Sequence, residues 1–141
     1  MVGRAPTRLD GTMTAEHRIV TAPGLDEPVG YAHAVVAAPG RTVYLGGQVG
    51  TGATVVEQFD VAAANLVTAL RAAGGEPDDL VSLVVYVTDV GEYHASLREL
   101  GEVWRRHFGR RYPAMALVGV SALFDPEARV ELMGVAVVRD G

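Results

Sequence analysis

The sequence predicts one α+β domain in which a mixed β-sheet carries two helices on one face. Apolar, β-branched runs alternate with two stretches of helical period, in the order β-β-β-α-β-α-β-β. Glycine and proline clusters separate the runs, as expected of turns. We expect residues 16–141 to form this domain, with no internal linker, and residues 1–15 to be a disordered lead without the pattern of a signal peptide.

Three strands are predicted in the first third of the domain. Residues 17–21 alternate weakly between apolar and polar side chains, as an edge strand does. Residues 31–37 and 42–49 are apolar runs, and the Ala-Pro-Gly-Arg segment between them is typical of a hairpin turn. We therefore expect the second and third strands to pair with each other.

Two helices are predicted in the remainder, each with its own start signal. Thr54 and Glu57 form a capping-box pattern ahead of an apolar stripe that ends at a pair of glycines. Asp89 and Glu92 resemble a second cap, and the helix they open should end at Gly109. A buried strand is predicted between these helices at residues 80–87. Two more strands are predicted after the second helix, at residues 115–120 and 130–138.

Two helices cover only one face of such a sheet. The other face would present alternating valine and leucine side chains to water, more apolar surface than a monomer usually exposes. The physical expectation is self-association.

Composition excludes several kinds of chemistry. The chain has no cysteine, so disulfides, thiolate nucleophiles and sulfur-bound metals are excluded. It also has no lysine, which removes Schiff-base chemistry and covalently bound pyridoxal phosphate. A net charge of −5 works against a nucleic acid as the main partner. No apolar run is long enough to cross a membrane, and we expect a cytoplasmic protein.

Four local motifs resemble the YjgF/RidA family. They are Gly30-Tyr31, the Gly46-Gly47-Gln48 stretch, Tyr112-Pro113-Ala114-Met115, and a terminal strand that contains Glu131. The resemblance runs from about residue 17 to the C-terminus. It implies a chorismate-mutase-like fold, a homotrimer with a ligand cleft at each subunit boundary, and hydrolysis of reactive imines or enamines.

Tyr31 and Glu131 match two functional positions of that family. The phenol of Tyr31 could line the pocket and donate a hydrogen bond to a substrate or a water. Glu131 matches a glutamate thought to position or activate the attacking water as a general base. Each residue has a structural alternative: Tyr31 as a tyrosine packed at an interface, and Glu131 as the partner of a neighbouring arginine such as Arg129.

Two positions depart from the family pattern. Where relatives place an arginine that binds the substrate carboxylate, this chain has Met115, which offers no donor. Where many relatives place a pocket asparagine, the alignment gives Gly101. Together with Gly47 and Ala114, these residues predict a substrate site that is wider, more apolar and unsuited to a small carboxylate.

His33 is a third candidate for catalysis. If residues 31–35 form a strand, its period of two places His33 and Tyr31 on the same face. The histidine would then complete an acid/base set with Tyr31 and Glu131. Alternatively, it replaces a glutamine common in the family and keeps only a structural hydrogen bond.

The other ionisable residues suggest no metal and no cofactor. His94 and His107 are too far apart along one helix to share a metal, and no carboxylate stands at ligand spacing. Four arginines, at positions 105, 106, 110 and 111, crowd the end of that helix. They fit the preference of cations for a helix C-terminus, or else form an anion-binding patch that lacks interleaved aromatic residues.

Two functions remain open from the sequence. In the first, the protein is a divergent enzyme of this family that performs acid/base or hydrolytic chemistry on an imine, enamine or enol-type intermediate. Its substrate would be a small molecule other than the usual iminoacids. In the second, the cleft binds a small ligand without turnover, as in a sensor, carrier or partner protein. Retention of Tyr31 and Glu131 favours the enzyme.

Overall fold

The computed structural model describes residues 16–140, so the predicted lead at residues 1–15 lies outside the described part. Within that part the chain forms six strands, three helices and one short 3-10 turn at Pro77–Asp79. The strands are β1 (Arg18–Val20), β2 (Ala34–Val36), β3 (Gly40–Val49), β4 (Leu80–Val87), β5 (Ala114–Gly119) and β6 (Val130–Arg139). The helices are α1 (Val55–Ala72), α2 (Val90–Ala95) and α3 (Leu97–Phe108).

The main sheet has four strands in the order β3-β6-β4-β5. Strands β4 and β5 are parallel and the other pairs are antiparallel, so the predicted mixed sheet is confirmed. Strands β1 and β2 form a separate antiparallel pair. A single parallel bridge joins Ala32 to Ala114, where the Ala32 N–H donates to the Pro113 carbonyl at 2.9 Å. This bridge holds the segment before β2 against the free edge of β5.

Helix α1 covers the middle of the sheet. It begins as its sequence predicts: the Thr54 hydroxyl accepts from the Glu57 N–H at 3.1 Å, and the Glu57 carboxylate accepts from the Ala53 N–H at 2.7 Å. Its apolar stripe, which includes the fully buried Phe59 and Leu66, packs against β3, β6 and α3. The hydrophobic core therefore lies between the helices and one sheet face.

The predicted hairpin between the second and third strands is wrong. Strand β2 pairs with β1, while β3 pairs along its length with β6. The N–H of Ala38, between the two strands, donates instead to the buried ring of His17 at 3.0 Å. The chain therefore leaves one sheet and enters the other at this point.

The predicted second helix is interrupted at Ser96. Its N–H bonds the Tyr93 carbonyl at 3.0 Å, which closes α2 in a tight turn. Its hydroxyl donates to the Glu92 carbonyl at 2.9 Å, and such back-bonding competes with continuation of a helix. The result is a short α2 followed by α3, which ends at Gly109 as predicted.

A buried polar cluster fixes the start of the domain. The Nε2 of His17 donates to the Val137 carbonyl at 2.7 Å and lies 3.3 Å from a carboxylate oxygen of Asp79, which accepts from Arg139 at 2.7 Å. Burial raises the pKa of Asp79, but hydrogen bonds from the Glu76 N–H and from Arg139 outweigh it and leave the pKa below its usual value. Asp79 therefore stays ionised and ties β1 to the end of β6.

Within residues 16–140, the sheet face opposite the helices carries exposed apolar side chains. Tyr44 is 81% exposed there, and its antiparallel neighbour Val135 is half-buried. Met133 and Val118 are exposed on β6 and β5. We call this surface the open face. Among the described residues, no helix has the length and hydrophobicity to cross a membrane.

Candidate functional site

A cleft of about 410 Å³ opens at the edge of the sheet, on the side where the helices lie. Its walls come from β5, α2, α3 and the segment before β2, with Phe59 of α1 and Val85 of β4 also contributing. The lining is dominated by aromatic and aliphatic side chains: Val29, Tyr31, Phe59, Val85, Tyr93, Leu97, Leu100, Trp104, Tyr112, Met115 and Leu117. Apolar walls with a few polar tips are typical of small-molecule sites.

Three of the residues predicted from the sequence line this cleft: Tyr31, Gly101 and Met115. Met115 lies in register with the fully buried Leu83 and packs against the core, so its thioether forms part of the floor. A side chain at Gly101 would meet open space, because an added Cβ has no heavy atom within 4 Å. Ala114, in register with Ser82 at the start of β5, does not line the cleft.

The aromatic walls are held rigidly. The rings of Trp104 and Tyr112 stack with centroids 5.1 Å apart and an interplanar angle of 14°. The indole N–H of Trp104 donates to the Arg111 carbonyl at 3.2 Å, which fixes the orientation of the ring. Phe108 packs on the same indole at 4.2 Å. A ligand in the cleft thus meets a preformed aromatic surface.

The hydrogen-bonding groups of the cleft are uncharged phenols and one imidazole. Burial raises the pKa of Tyr93 to about 12, and Tyr112 adds to this effect, so the Tyr93 hydroxyl stays protonated. Tyr31, Tyr112 and His94 supply the other polar tips. Within residues 16–140, no arginine, aspartate or glutamate lines the cleft.

Glu131 and Gly47 lie elsewhere, on the open face. Glu131 pairs across the sheet with Tyr86 and Val49, while the adjacent Leu132 points into the core. The carboxylate of Glu131 lies over Gly47, because a Cβ added there would be 2.7 Å from Oε2. Gly47 sits in the irregularity of β3 between Leu45 and Gln48. One chain therefore does not bring this carboxylate into its own cleft.

Arg129 was the expected partner of Glu131 if that glutamate has only a structural role. Both Glu92 carboxylate oxygens instead accept from Arg129 Nη1, at 2.9 and 3.0 Å, and Glu92 also accepts from the Val55 N–H at the start of α1. Within residues 16–140, Glu131 forms no salt bridge. Among the described residues, its carboxylate is therefore not committed to a cation.

His33 is held by the backbone on both sides of its ring. Its Nδ1 accepts from the Ala22 N–H at 2.9 Å, and its Nε2 donates to the Asp26 carbonyl at 2.9 Å. Residues 31–33 are not in a regular strand, contrary to prediction, although the rings of Tyr31 and His33 do lie 5.9 Å apart. With both ring nitrogens occupied, His33 organises the loop of residues 22–26 instead of joining an acid/base set.

The arginines at positions 105, 106, 110 and 111 do not line the cleft of their own chain. Arg111 donates to the His17 carbonyl at 2.8 Å, and Arg106 lies 3.5 Å from the Asp60 carboxylate. That carboxylate also binds His107 at 2.6 Å, and its pKa is lowered mainly by this hydrogen bond. Neither Arg111 nor Arg98 lines the cleft. In the described residues no three potential metal ligands cluster together.

Sequence reasoning missed most of the cleft lining. Tyr93, Leu97 and Trp104 were not considered as site residues, and His94 was considered only as a metal ligand. The sequence does carry a signal for them, because these side chains recur at helical spacing, and an apolar stripe rich in aromatic residues can line a pocket as well as a core.

Comparison with known proteins places the chain in a family. Residues 24–138 match the family model described as endoribonuclease L-PSP. The human protein named 2-iminobutanoate/2-iminopropanoate deaminase is 29% identical over 124 residues, covering 82% of this chain and 84% of the relative. Protein DfrA of Myxococcus xanthus is 32% identical over 115 residues, covering 76% and 84% respectively.

Solved structures give the same result. The Rid family protein YyfB from Yersinia pestis, described as a protein of unknown function, superposes with a TM-score of 0.77 at 29% identity. The match covers 87% of this chain and 99% of that protein. A YjgF family member from Mycobacterium tuberculosis is 35% identical, with a TM-score of 0.60 over 78% of this chain and 88% of that protein. The chain therefore belongs to the YjgF/RidA family, whose members match the endoribonuclease L-PSP model.

Proposed function

We propose that the protein is an enzyme that hydrolyses an uncharged imine, or an enamine or enol-type equivalent, in a cleft completed by a second subunit. The observation that carries this proposal is the lining of the cleft. Met115 stands where the family resemblance implies an arginine, and no other charged group takes its place among the described lining residues. A carboxylate substrate would be buried there without a partner, which is costly, whereas a neutral substrate would not.

The open face supports a homotrimer. Its exposed apolar side chains, including Tyr44 and Met133, need a cover that one chain does not supply. In the arrangement implied by the family, the sheets pack inward and a cleft forms at each subunit boundary. Glu131 lies on this face, which in that arrangement would pack against a neighbouring subunit. We infer that each site combines Tyr31 of one subunit with Glu131 of the partner subunit.

This arrangement suggests a hydrolytic route. Glu131 of the partner subunit accepts a proton from water, and the water oxygen bonds to the carbon of the C=N group. Glu131 then passes this proton to the nitrogen, which Tyr31 orients by donating a hydrogen bond, and the C=N double bond becomes the single C–N bond of a carbinolamine. Transfer of the carbinolamine hydroxyl proton through Glu131 to the nitrogen lets the C–N bond break, forms C=O, releases ammonia and leaves Glu131 ionised. Atoms balance as imine plus water giving carbonyl compound plus ammonia.

A small molecule suits this surface better than a nucleic acid. The chain carries a net charge of −5, and two of the four clustered arginines are engaged with Asp60 and the His17 carbonyl. Phosphate recognition needs free cations along a groove. The cleft has none among its described residues.

Hydrolysis of benzophenone imine, an uncharged conjugated imine, tests the proposed function. We expect the protein to accelerate formation of benzophenone well above the rate in buffer, measured by absorbance. Gly101→Leu should abolish the acceleration by filling the cleft, and Glu102→Leu, the adjacent and exposed position outside the cleft, should not. No acceleration by the wild type would contradict the enzyme proposal.

That outcome would favour a second function, binding of a small ligand without turnover. The observation behind it is that one chain places no carboxylate in its own cleft. If the partner subunit's Glu131 also stays outside the cleft, the site can bind a ligand but has no general base. Binding without hydrolysis would then be the result.

A further inference from the structure

We propose that the ligand of this cleft is a flat, conjugated ring compound without charge, and that the aromatic lining of the cleft selects it. The inference rests on the proposed function for the location of the site, and it goes further by naming the class of ligand. It applies equally to an enzyme and to a binding protein, because it concerns recognition and not turnover.

The walls of the cleft have the shape to hold a flat ring. Aromatic rings line the cleft from four of the six elements that build it: Tyr31 before β2, Phe59 in α1, Tyr93 in α2 and Trp104 in α3. Phe59 and Tyr93 lie tilted at 58° with centroids 6.4 Å apart, while Trp104 and Tyr112 are nearly parallel. A flat ring can contact such surfaces face to face or edge to face, as aromatic pairs prefer.

The aromatic side chains around the cleft are held rigidly. Trp104 is 4% exposed, bonded through its indole N–H and packed on Phe108, so its plane is set before any ligand binds. Met115 adds a polarisable sulfur to the floor, and thioethers favour contact with aromatic rings. A saturated ligand of the same size would gain the same burial but neither of these directional contacts.

The polar groups that line the cleft suit a neutral ligand. The hydroxyls of Tyr31, Tyr93 and Tyr112, and the ring of His94, form no side-chain hydrogen bond with any other residue of the described part. They remain available to a carbonyl, hydroxyl or imine group on the ligand. None of them supplies the fixed positive charge that a carboxylate would need. The cleft therefore discriminates against anions.

Three matched and unreactive probes separate these features: 2-naphthamide is flat and neutral, decahydro-2-naphthamide is neutral but saturated, and 2-naphthoate is flat but anionic. We expect calorimetry on the full-length protein to give about tenfold tighter binding for 2-naphthamide than for either other probe, the scale of one good aromatic contact. Equal affinity for the saturated amide would overturn the role of stacking. Equal affinity for the carboxylate would overturn the requirement for a neutral ligand.

The location is tested by the single tryptophan of the chain. Its indole N–H gives one resonance in a proton–nitrogen correlation spectrum, and 2-naphthamide should shift it. Gly101→Leu should remove both the shift and the binding, since leucine favours a helix more than glycine does and projects into open space. Glu102→Leu, with the same added side chain outside the cleft, should keep both. Unchanged binding in Gly101→Leu, or no detectable binding of any probe to the wild type, would overturn the proposal.

These results are independent of turnover. If 2-naphthamide binds as expected and benzophenone imine is not hydrolysed, ring recognition holds and the enzyme proposal fails. If benzophenone imine is hydrolysed while 2-naphthamide, its saturated analogue and 2-naphthoate bind equally tightly, the enzyme proposal holds and ring recognition fails.

Discussion

Replacing Glu131 with glutamine is expected to lower the turnover of benzophenone imine by a factor of about a hundred to ten thousand, the usual contribution of a general base. The amide keeps the size of the side chain above Gly47 and part of its hydrogen bonding, but it does not accept a proton from water. Binding of 2-naphthamide should change little, because the carboxylate is not part of the aromatic walls.

Glu102→Gln is the matched control for this variant. It makes the same chemical change on the exposed side of α3, away from the open face, and should leave turnover at the wild-type level. The comparison is made on kcat from initial rates at several substrate concentrations. Normal turnover by Glu131→Gln would show that the carboxylate is structural and that any base lies elsewhere.

The second large effect concerns Met115 and carboxylate substrates. We expect the wild type to hydrolyse 2-iminobutanoate poorly, because its carboxylate would enter the cleft without a cationic partner. Met115→Arg should raise kcat/KM for this substrate by about ten- to a hundredfold, the scale of a hydrogen bond to a charged group. It should lower kcat/KM for benzophenone imine, because the guanidinium narrows an apolar cleft.

Met115→Leu serves as the control, since it removes the sulfur but keeps the position apolar. This variant should show neither gain on 2-iminobutanoate nor a large loss on the neutral imine. The assay generates 2-iminobutanoate in place and follows 2-oxobutanoate. High activity of the wild type on 2-iminobutanoate would mean that another residue, outside the described lining of one chain, binds the carboxylate.

The order of secondary structure could be predicted because each element carries local signals. The capping pair of Thr54 and Glu57 and the terminator Gly109 are read from a few neighbouring residues and appear in the structure as predicted. Strand pairing is a long-range property. Strand β3 pairs with β6 and not with β2, and the N–H of Ala38 between β2 and β3 donates to the ring of His17, a contact that the local sequence does not reveal.

Some residues of the site could also be predicted from the sequence, and others could not. Tyr31, Gly101 and Met115 could be placed together because the family motifs position them, and the structure shows them in one cleft. The environment of His33 could not be predicted, since both of its hydrogen bonds go to backbone groups of a loop without regular structure. Whether Glu131 meets the cleft depends on the packing of a second chain, and the local sequence carries no such information.

The central claim is that the cleft of one subunit works with Glu131 of the partner subunit. Mixed trimers test it most directly: Gly101→Leu chains and Glu131→Gln chains are co-expressed in equal amounts with different tags, and trimers carrying both tags are purified. Each variant alone should be inactive on benzophenone imine. If each cleft takes its carboxylate from one neighbour, every trimer that carries both tags has one site in three with an open cleft and an intact carboxylate, so activity should return to about a third of the wild type. Mixed trimers that are no more active than the two parents would contradict a shared site.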